Sequence, residues 1–191
     1  MSDIALSINE LNIIFQTLTI QALDRDVSLP SSAYAVRVSW PTTGAPAWKI
    51  TEDVTFIRII EADDKYNRQR ENKFIGLDTD NGTNLTRYTR VMEVFWTLYG
   101  STSFANAQAI RDRLFYQEYH DILAQSNLYL IPDIVSPVRM PELFQGQWWE
   151  RVDMSMRFNE LIQRGLTIPY IKSAEITIKN DVKTLADFVV E

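Results

Sequence analysis

Residues 148–162 read WWERVDMSMRFNELI, and this segment has the clearest structural pattern in the chain. Apolar side chains recur at every second position from Val152 to Phe158, and polar side chains fill the positions between them. A period of two is typical of a β-strand that buries one face. We therefore predict a strand over Trp148–Ile162 whose buried residues are Val152, Met154, Met156 and Phe158. The opposite face, in solvent or against a partner, would present Arg151, Asp153, Ser155 and Arg157.

Patterns rich in alternating or β-branched residues predict further strands before and after this segment. Pro41 ends the first of them, because proline has no N–H group to donate to a sheet. Gly100 ends the longest predicted strand, Tyr88–Tyr99. Pro137 and Pro141 predict an irregular segment ahead of Trp148. The predicted strands are Tyr34–Trp40, Val54–Ile60, Tyr88–Tyr99, Tyr129–Ile131 and Ala174–Lys179.

Two segments have the period of an amphipathic helix. In the first, apolar residues recur on one face from Ile4 to Ala22, and Ser7 with Glu10 forms the capping-box pattern at its start. The second begins at Ser103, which we predict as its N-cap residue. The predicted buried positions of this second helix are Phe104, Ala107, Ile110, Leu114 and Ile122.

The order of these elements predicts an α+β fold. Its sheet is mainly antiparallel, two amphipathic helices pack on a face, and one long polar loop spans Glu61–Asn84. The length of 191 residues suits one domain, so we expect a single domain over 1–191 with an extended loop at 61–84. Residues 182–191 have a mixed pattern and stay unassigned.

The predicted loop separates its charges along the sequence. Two acidic residues precede four basic ones, and residues 1–64 carry nine acidic against four basic side chains. Segregated opposite charges guide the association of protein subunits. The alternatives are a plain solvated loop and a segment that grips phosphate and stacks on bases. Our candidates for an assembly interface here are Asp63, Asp64, Lys65, Arg68, Arg70 and Lys73.

The chain has five tryptophans, and two of them are consecutive. Because side chains alternate across a strand, Trp148 and Trp149 should point to opposite faces. One indole can then enter the core, while the other stays exposed or meets a partner. We add both residues to the assembly candidates, with core-and-rim packing as the alternative.

Composition excludes several kinds of chemistry. The chain has no cysteine and one histidine, His120, which excludes disulfides, thiol nucleophiles and sites with several histidines. We expect His120 to lie in a helix as an ordinary satisfied or surface residue. Residues 78–82 read DTDNG, but the glycine comes one place too early for an EF-hand calcium loop. We interpret Asn81-Gly82 as a tight turn, and we predict no cofactor, metal or catalytic residue.

Charge and hydropathy limit the possible partners. The chain has 19 basic and 25 acidic residues and a formal net charge of −6, which disfavours non-specific affinity for DNA. An acidic residue near the start and no long apolar run predict neither a signal peptide nor a membrane span. We expect synthesis in the cytoplasm.

Residues 39–48 read SWPTTGAPAW, and residues 52–57 read EDVTFI. A strand ending in Trp-Pro, a turn with Gly44 and Pro46, an acidic pair and a second strand therefore follow one another. The polar loop, a strand that begins RYTRV at Arg87, and a helix over Asn106–Leu123 come next. In these features and their order, most of the chain resembles the neck or tail terminator proteins of long-tailed bacteriophages.

The resemblance implies a structural protein of the virion tail or neck, not an enzyme. It implies a homo-oligomeric ring, usually a hexamer, that caps the tail tube and joins the tail to the head-neck connector. DNA would pass through the lumen without specific binding, and the protein partners would be the tube protein, the connector protein and further copies of the chain. Two alternatives stay open. They are a tube or connector subunit of the same virion, and a cell-wall hydrolase with two converging carboxylates.

Overall fold

A computed structural model describes residues 3–39, 48–76, 80–171, 174–179 and 184–190. The helices are α1 (Ile8–Ala22), α2 (Pro30–Ala35), α3 (Ser103–Arg113) and α4 (Gln117–Ala124), and a 3₁₀ turn spans Lys65–Arg68. The strands are β1 (Val36–Val38), β2 (Val54–Glu61), β3 (Glu71–Gly76), β4 (Asn81–Tyr99), β5 (Leu128–Leu130), β6 (Val138–Arg139), β7 (Glu142–Phe144), β8 (Gln147–Trp149), β9 (Arg151–Pro169), β10 (Ala174–Lys179) and β11 (Thr184–Val190).

The residues fall into two compact units. The larger unit comprises Ile4–Gln69 and Tyr88–Ile162, and the smaller comprises Met1–Asp3, Arg70–Arg87 and Gln163–Glu191, within the described ranges. Strands β4 and β9 contribute residues to both units.

The main sheet has the strand order β1-β2-β4-β9-β5, with β3 paired to β4 and β6 paired to β9. Strand β1 runs parallel to β2, whereas β2 with β4, β5 with β9 and β6 with β9 are antiparallel. The predicted α+β fold with a mainly antiparallel sheet is therefore confirmed.

The core of the larger unit lies between helices and one face of this sheet. Helix α1 buries Leu11, Phe15 and Leu18, and the Phe15 ring meets the Phe158 ring edge-on at 4.7 Å between centroids. Along β9 buried and partly exposed residues alternate, so the predicted register is confirmed. Its inward side chains include Met156 and Phe158, each no more than 1 % exposed.

The start of α1 follows its sequence pattern closely. The Ser7 hydroxyl accepts the Glu10 N–H at 3.3 Å, and the Glu10 carboxylate accepts the Ser7 N–H at 2.8 Å, which confirms the capping box. One residue earlier, the Leu6 N–H donates to the buried carboxylate of Glu160 at 2.8 Å. Arg90 donates both to Glu160 and to the Leu6 carbonyl, so this segment is held by a buried ion pair of the sheet.

The predicted strand Tyr34–Trp40 is only partly correct. Tyr34 and Ala35 end helix α2, and the strand spans Val36–Val38. Pro30 lies at the first turn of α2, where its fixed φ suits a helix and its missing N–H has no cost. Local backbone preference therefore prevails over the start of the alternation predicted for Tyr34–Trp40. Trp40 lies outside the described residues.

The prediction of a loop over Glu61–Asn84 is wrong. It contains the 3₁₀ turn, all of β3 and the start of β4, and β3 pairs with β4 from Glu71 opposite Arg87 to Gly76 opposite Gly82. Most of β3 is exposed, so it has no apolar alternation that could reveal a strand. Backbone pairing satisfies its polar groups without a buried face. Asn81 and Gly82 begin β4 and do not form the predicted turn; the Asp78 and Thr79 positions lie outside the described residues.

The second predicted helix is two helices. Thr102 is the N-cap of α3 in place of Ser103, and the chain is extended at Tyr116 before α4 begins. Four α-helices occur in the described ranges, where two were predicted. The segment predicted as irregular contains the short strands β6, β7 and β8, and Trp148 belongs to β8 and not to β9. At the C-terminal side, Thr184–Val190 pairs antiparallel with the confirmed strand Ala174–Lys179.

Candidate assembly surfaces

An aromatic cluster lies where the β7–β8 hairpin meets the ends of β2 and β4. Its members come from four separate segments of the larger unit. The Trp48 ring centroid lies 4.9 Å from Phe56, 5.4 Å from Tyr99 and 5.9 Å from Trp149. Trp149 also contacts Phe144 at 6.1 Å. These separations and the steep angles between the rings are typical of stabilising aromatic pairs.

One carboxylate borders this cluster. Glu142 accepts a hydrogen bond from the Tyr99 hydroxyl at 2.9 Å and pairs with Arg151 at 3.2 Å. Burial, together with the hydrogen bond to Glu142, raises the pKa of Tyr99 to about 12. Arg151 also binds both carboxylate oxygens of Asp153, at 2.9 and 2.8 Å, and the hydrogen bond to Asp153 raises its pKa. A pocket of about 280 Å³ lies here, lined by Trp48, Tyr99, Glu142, Phe144 and Trp149.

The β7–β8 hairpin has two different faces. Gln145 and Gly146 form its turn with positive φ values of 48° and 77°, which glycine adopts without strain. Across the strands Glu142 stands opposite Trp149, and Leu143 stands opposite Trp148. Trp149 packs into the aromatic cluster, whereas Trp148 is 67 % exposed. The prediction that the two indoles point to opposite faces is confirmed.

Exposed apolar side chains are concentrated around this hairpin. Within 14 residues, six large apolar side chains are more than half exposed, which is unusual for a surface in permanent contact with water. We call this set the apolar strip. Its members are Val135, Val138, Met140, Leu143, Phe144 and Trp148.

The acidic pair and the first two bases of the charged segment lie in the larger unit. Arg68 pairs with Asp63 at 2.7 Å, and both side chains are largely exposed. Asp64 caps the 3₁₀ turn by accepting the Tyr66 N–H at 3.0 Å and binds Arg157 at 2.6 Å. These two hydrogen bonds lower the pKa of Asp64. Lys65 lies exposed in the same turn.

The other two bases lie in the smaller unit. Arg70 precedes β3, and Lys73 is exposed on it. Phe74, the next residue, contacts the Tyr170 ring at 5.9 Å between centroids and lies against Gly82. A Cβ at Gly82 would come within 2.1 Å of the Phe74 ring, so only glycine permits this approach. The six charged candidates are thus divided between the two units, and their role in assembly stays a prediction.

His120 is exposed on α4, as predicted. Glu142, which lines the aromatic pocket, and Asp153 both bind Arg151 and so act as ion-pair partners. In the described part of the chain, no group of three or more His, Cys, Asp or Glu side chains could hold a metal ion. No helix in the same ranges is long and apolar enough to cross a membrane.

The sequence indicates Trp148 and Trp149 as candidates but does not indicate the residues around them. Trp48, Tyr99 and Phe144 lie far apart along the chain, and no local pattern links them. Glu142 had no motif of its own. The high number of tryptophans was the one available sign of an aromatic cluster.

An α+β fold with exposed apolar residues on one hairpin is typical of a protein that acts through assembly. Residues 9–182 match the family model described as phage neck terminator protein. The match covers most of the chain, so the chain belongs to the phage neck terminator family and is a structural protein of the virion neck. No curated protein sequence matches it.

Proposed function

We propose that this chain assembles into a ring of six copies that caps the tail tube and joins the tail to the head-neck connector. The residues 1–191 work in it as one terminator domain. The ring binds the tube protein on one face and the connector protein on the other. It carries out no chemical step.

The apolar strip is the observation that carries this proposal. Leu143 and Trp148 form a cross-strand pair on the outer face of the β7–β8 hairpin, with 57 % and 67 % of their surface exposed. A free monomer leaves this area in water, whereas a neighbouring copy would bury it, at a gain of roughly 25 cal/mol per Å². Trp148 is the natural anchor, because large aromatic residues dominate the energy of protein interfaces.

The net charge suits a channel for DNA. Each chain has a formal charge of −6, so six copies carry about −36. An acidic lumen repels the phosphate backbone and lets DNA pass without being held. Tube growth would stop because the ring offers one face that resembles the tube and an opposite face that no tube subunit can join.

The ring is tested with native mass spectrometry and negative-stain electron microscopy of the full chain. We expect a particle of six copies with a central hole. Trp148→Ser should shift the population to smaller species, whereas Phe115→Ser should not, because Phe115 is an exposed aromatic residue outside the apolar strip. A wild-type chain that stays monomeric would contradict the proposal. Open-ended tubes built of this chain alone would identify a tube subunit.

The role in the virion is tested by complementation of a phage that lacks the gene for this chain. Wild type should restore joined particles, and Trp148→Ser should leave heads and tails separate. Joined, infectious particles in the absence of the chain would contradict the proposed role.

A further inference from the structure

The walls of the aromatic pocket are mostly aromatic rings that stand at steep angles to one another. Four rings line it, and the ring pairs Trp48–Trp149, Tyr99–Trp149 and Phe144–Trp149 meet at 78°, 88° and 76°. Rings at right angles direct faces and edges toward one shared space. Aromatic faces carry partial negative charge, and several of them around one space form a site for a cation.

The pocket carries a negative side chain, and its charge adds to the partial negative charge of the ring faces. Glu142 is the one charged side chain among the five described residues that line it. Its neighbour Arg151 pairs with Glu142 at 3.2 Å and with Asp153 through two nitrogens, so one guanidinium faces two carboxylates and the three groups together keep a net negative charge. The Tyr99 hydroxyl stays protonated and donates to Glu142. The Tyr99 hydroxyl and the Arg151 guanidinium therefore hold the Glu142 carboxylate in place at the pocket.

Two rings of the aromatic cluster, Trp48 and Phe56, already lie near a cation of their own chain. The Arg37 guanidinium lies 4.1 Å from the Tyr34 ring centroid, 5.7 Å from Trp48 and 5.8 Å from Phe56. These distances are within the range at which rings attract cations. Arg37 does not line the pocket of about 280 Å³, so the pocket has room for a second cation.

We propose that the pocket formed by Trp48, Tyr99, Phe144, Trp149 and Glu142 binds a lysine or arginine side chain of a partner protein. The aliphatic part of that side chain would pack on the rings, and its charged end would lie near Glu142. This goes beyond the ring proposal, which needs no particular recognition chemistry. A ring could form without such a site, and the site can be measured without a ring.

The experiment compares a cation with a neutral molecule of the same shape. Choline and its uncharged isostere 3,3-dimethylbutan-1-ol are titrated into the full chain labelled with 5-fluorotryptophan, and ¹⁹F NMR follows its five tryptophans. We expect saturable shifts at Trp48 and Trp149 with choline, and about tenfold weaker binding of the isostere. Trp96 and Trp148 serve as internal controls, because one is buried elsewhere and the other lies on the outer face of the hairpin.

Two substitutions separate charge from shape. Glu142→Gln keeps a hydrogen-bond acceptor but removes the charge, so it should weaken choline binding about fivefold and leave the isostere unchanged. Glu150→Gln is the matched control and should change neither, since Glu150 is exposed and pairs with Arg139. Absence of saturable shifts in the wild-type chain, or a preference for choline below about threefold, would overturn the proposal. The comparison of choline with its isostere uses the wild-type chain, so it does not depend on whether a variant folds.

Discussion

The indole N–H of Trp96 donates to Oγ1 of Thr19 at 2.9 Å, and this bond joins the C-terminal part of β4 to helix α1 through the core. The Thr19 hydroxyl donates in turn to the Phe15 carbonyl at 2.7 Å. Both residues are at most 1 % exposed, so water cannot replace either bond. A buried donor without an acceptor is costly, which makes the position of Thr19 decisive for the way α1 lies on the sheet.

Thr19→Val should therefore lower the free energy of unfolding by about 1–3 kcal/mol, because it leaves the Trp96 N–H unsatisfied while keeping the branched shape. Urea denaturation followed by tryptophan fluorescence measures the loss. Thr17→Val, in the same helix but partly exposed, is the control and should change stability little. Equal effects of the two changes would contradict the role given to this bond.

Met156→Ala should cost roughly 2–5 kcal/mol, because Met156 is 1 % exposed in the core face of β9 and the substitution leaves a cavity. Met140→Ala removes the same side chain from a site that is 52 % exposed, and its cost in the isolated chain should stay within about 0.5 kcal/mol. Thermal or urea unfolding of both variants makes the comparison. A negligible loss for Met156→Ala would mean that the register of β9 is inverted.

Glu160→Gln should destabilise the larger unit by about 3 kcal/mol, because Arg90 then keeps a mostly buried charge without its partner. It should also loosen the segment before α1, since Glu160 accepts the Leu6 N–H. Hydrogen exchange of the Leu6 amide measures the second effect. Glu150→Gln breaks an exposed pair and should leave both quantities nearly unchanged. An unchanged Leu6 exchange rate in Glu160→Gln would argue against this link.

The lowered pKa of Asp64 predicts that the stability of the protein depends on pH. The Tyr66 N–H and the Arg157 guanidinium lower the pKa of the folded Asp64 below its value of about 3.9 in the unfolded chain. Its contribution is therefore complete above about pH 4 and is lost as the pH falls through the folded pKa. The stability difference between wild type and Asp64→Asn should be constant near neutral pH and shrink in acid.

The control for this pH series is Asp63→Asn, whose ion pair with Arg68 is highly exposed. It should change stability little near neutral pH. Urea denaturation at several pH values measures both series. A difference for Asp64→Asn that grows as the pH falls would have the wrong sign for this interpretation.

Replacing four bases with serine tests the charged segment. The variant Lys65→Ser, Arg68→Ser, Arg70→Ser, Lys73→Ser should keep the monomer folded, since these side chains are exposed, but should impair assembly or tail joining. The expected reason is slower and less oriented encounter, and high salt should impair assembly of the wild type in the same direction. Native mass spectrometry at low and high salt measures the effect.

A control for the charged segment removes three exposed bases elsewhere, by Arg25→Ser, Lys49→Ser and Arg164→Ser. It should assemble as the wild type does. Normal assembly of the four-base variant at both salt concentrations would leave the segment as a solvated surface only.

Elements whose pattern is local could be predicted from the sequence. The period of two in β9 and the capping box of α1 each depend on residues within a few positions of one another, and both are confirmed. Strand β3 could not be predicted in this way. It is mostly exposed, and it is a strand because β4 supplies its hydrogen-bond partners. Pairing of this kind depends on another segment and not on a pattern within the strand.

The candidate site likewise combines a feature that the local sequence predicts with contacts that depend on the whole fold. The sequence alone determined that Trp148 and Trp149 point in opposite directions, because alternation is a property of any strand. Only the tertiary structure decided what Trp149 meets, since Trp48 and Tyr99 reach it from two distant segments and Phe144 from the other strand of its own hairpin. Their meeting depends on the order of strands in the sheet and on the turn at Gln145-Gly146, which folds β7 back on β8. Contacts between distant segments are set by packing of the whole chain, and a local pattern of residues does not specify them.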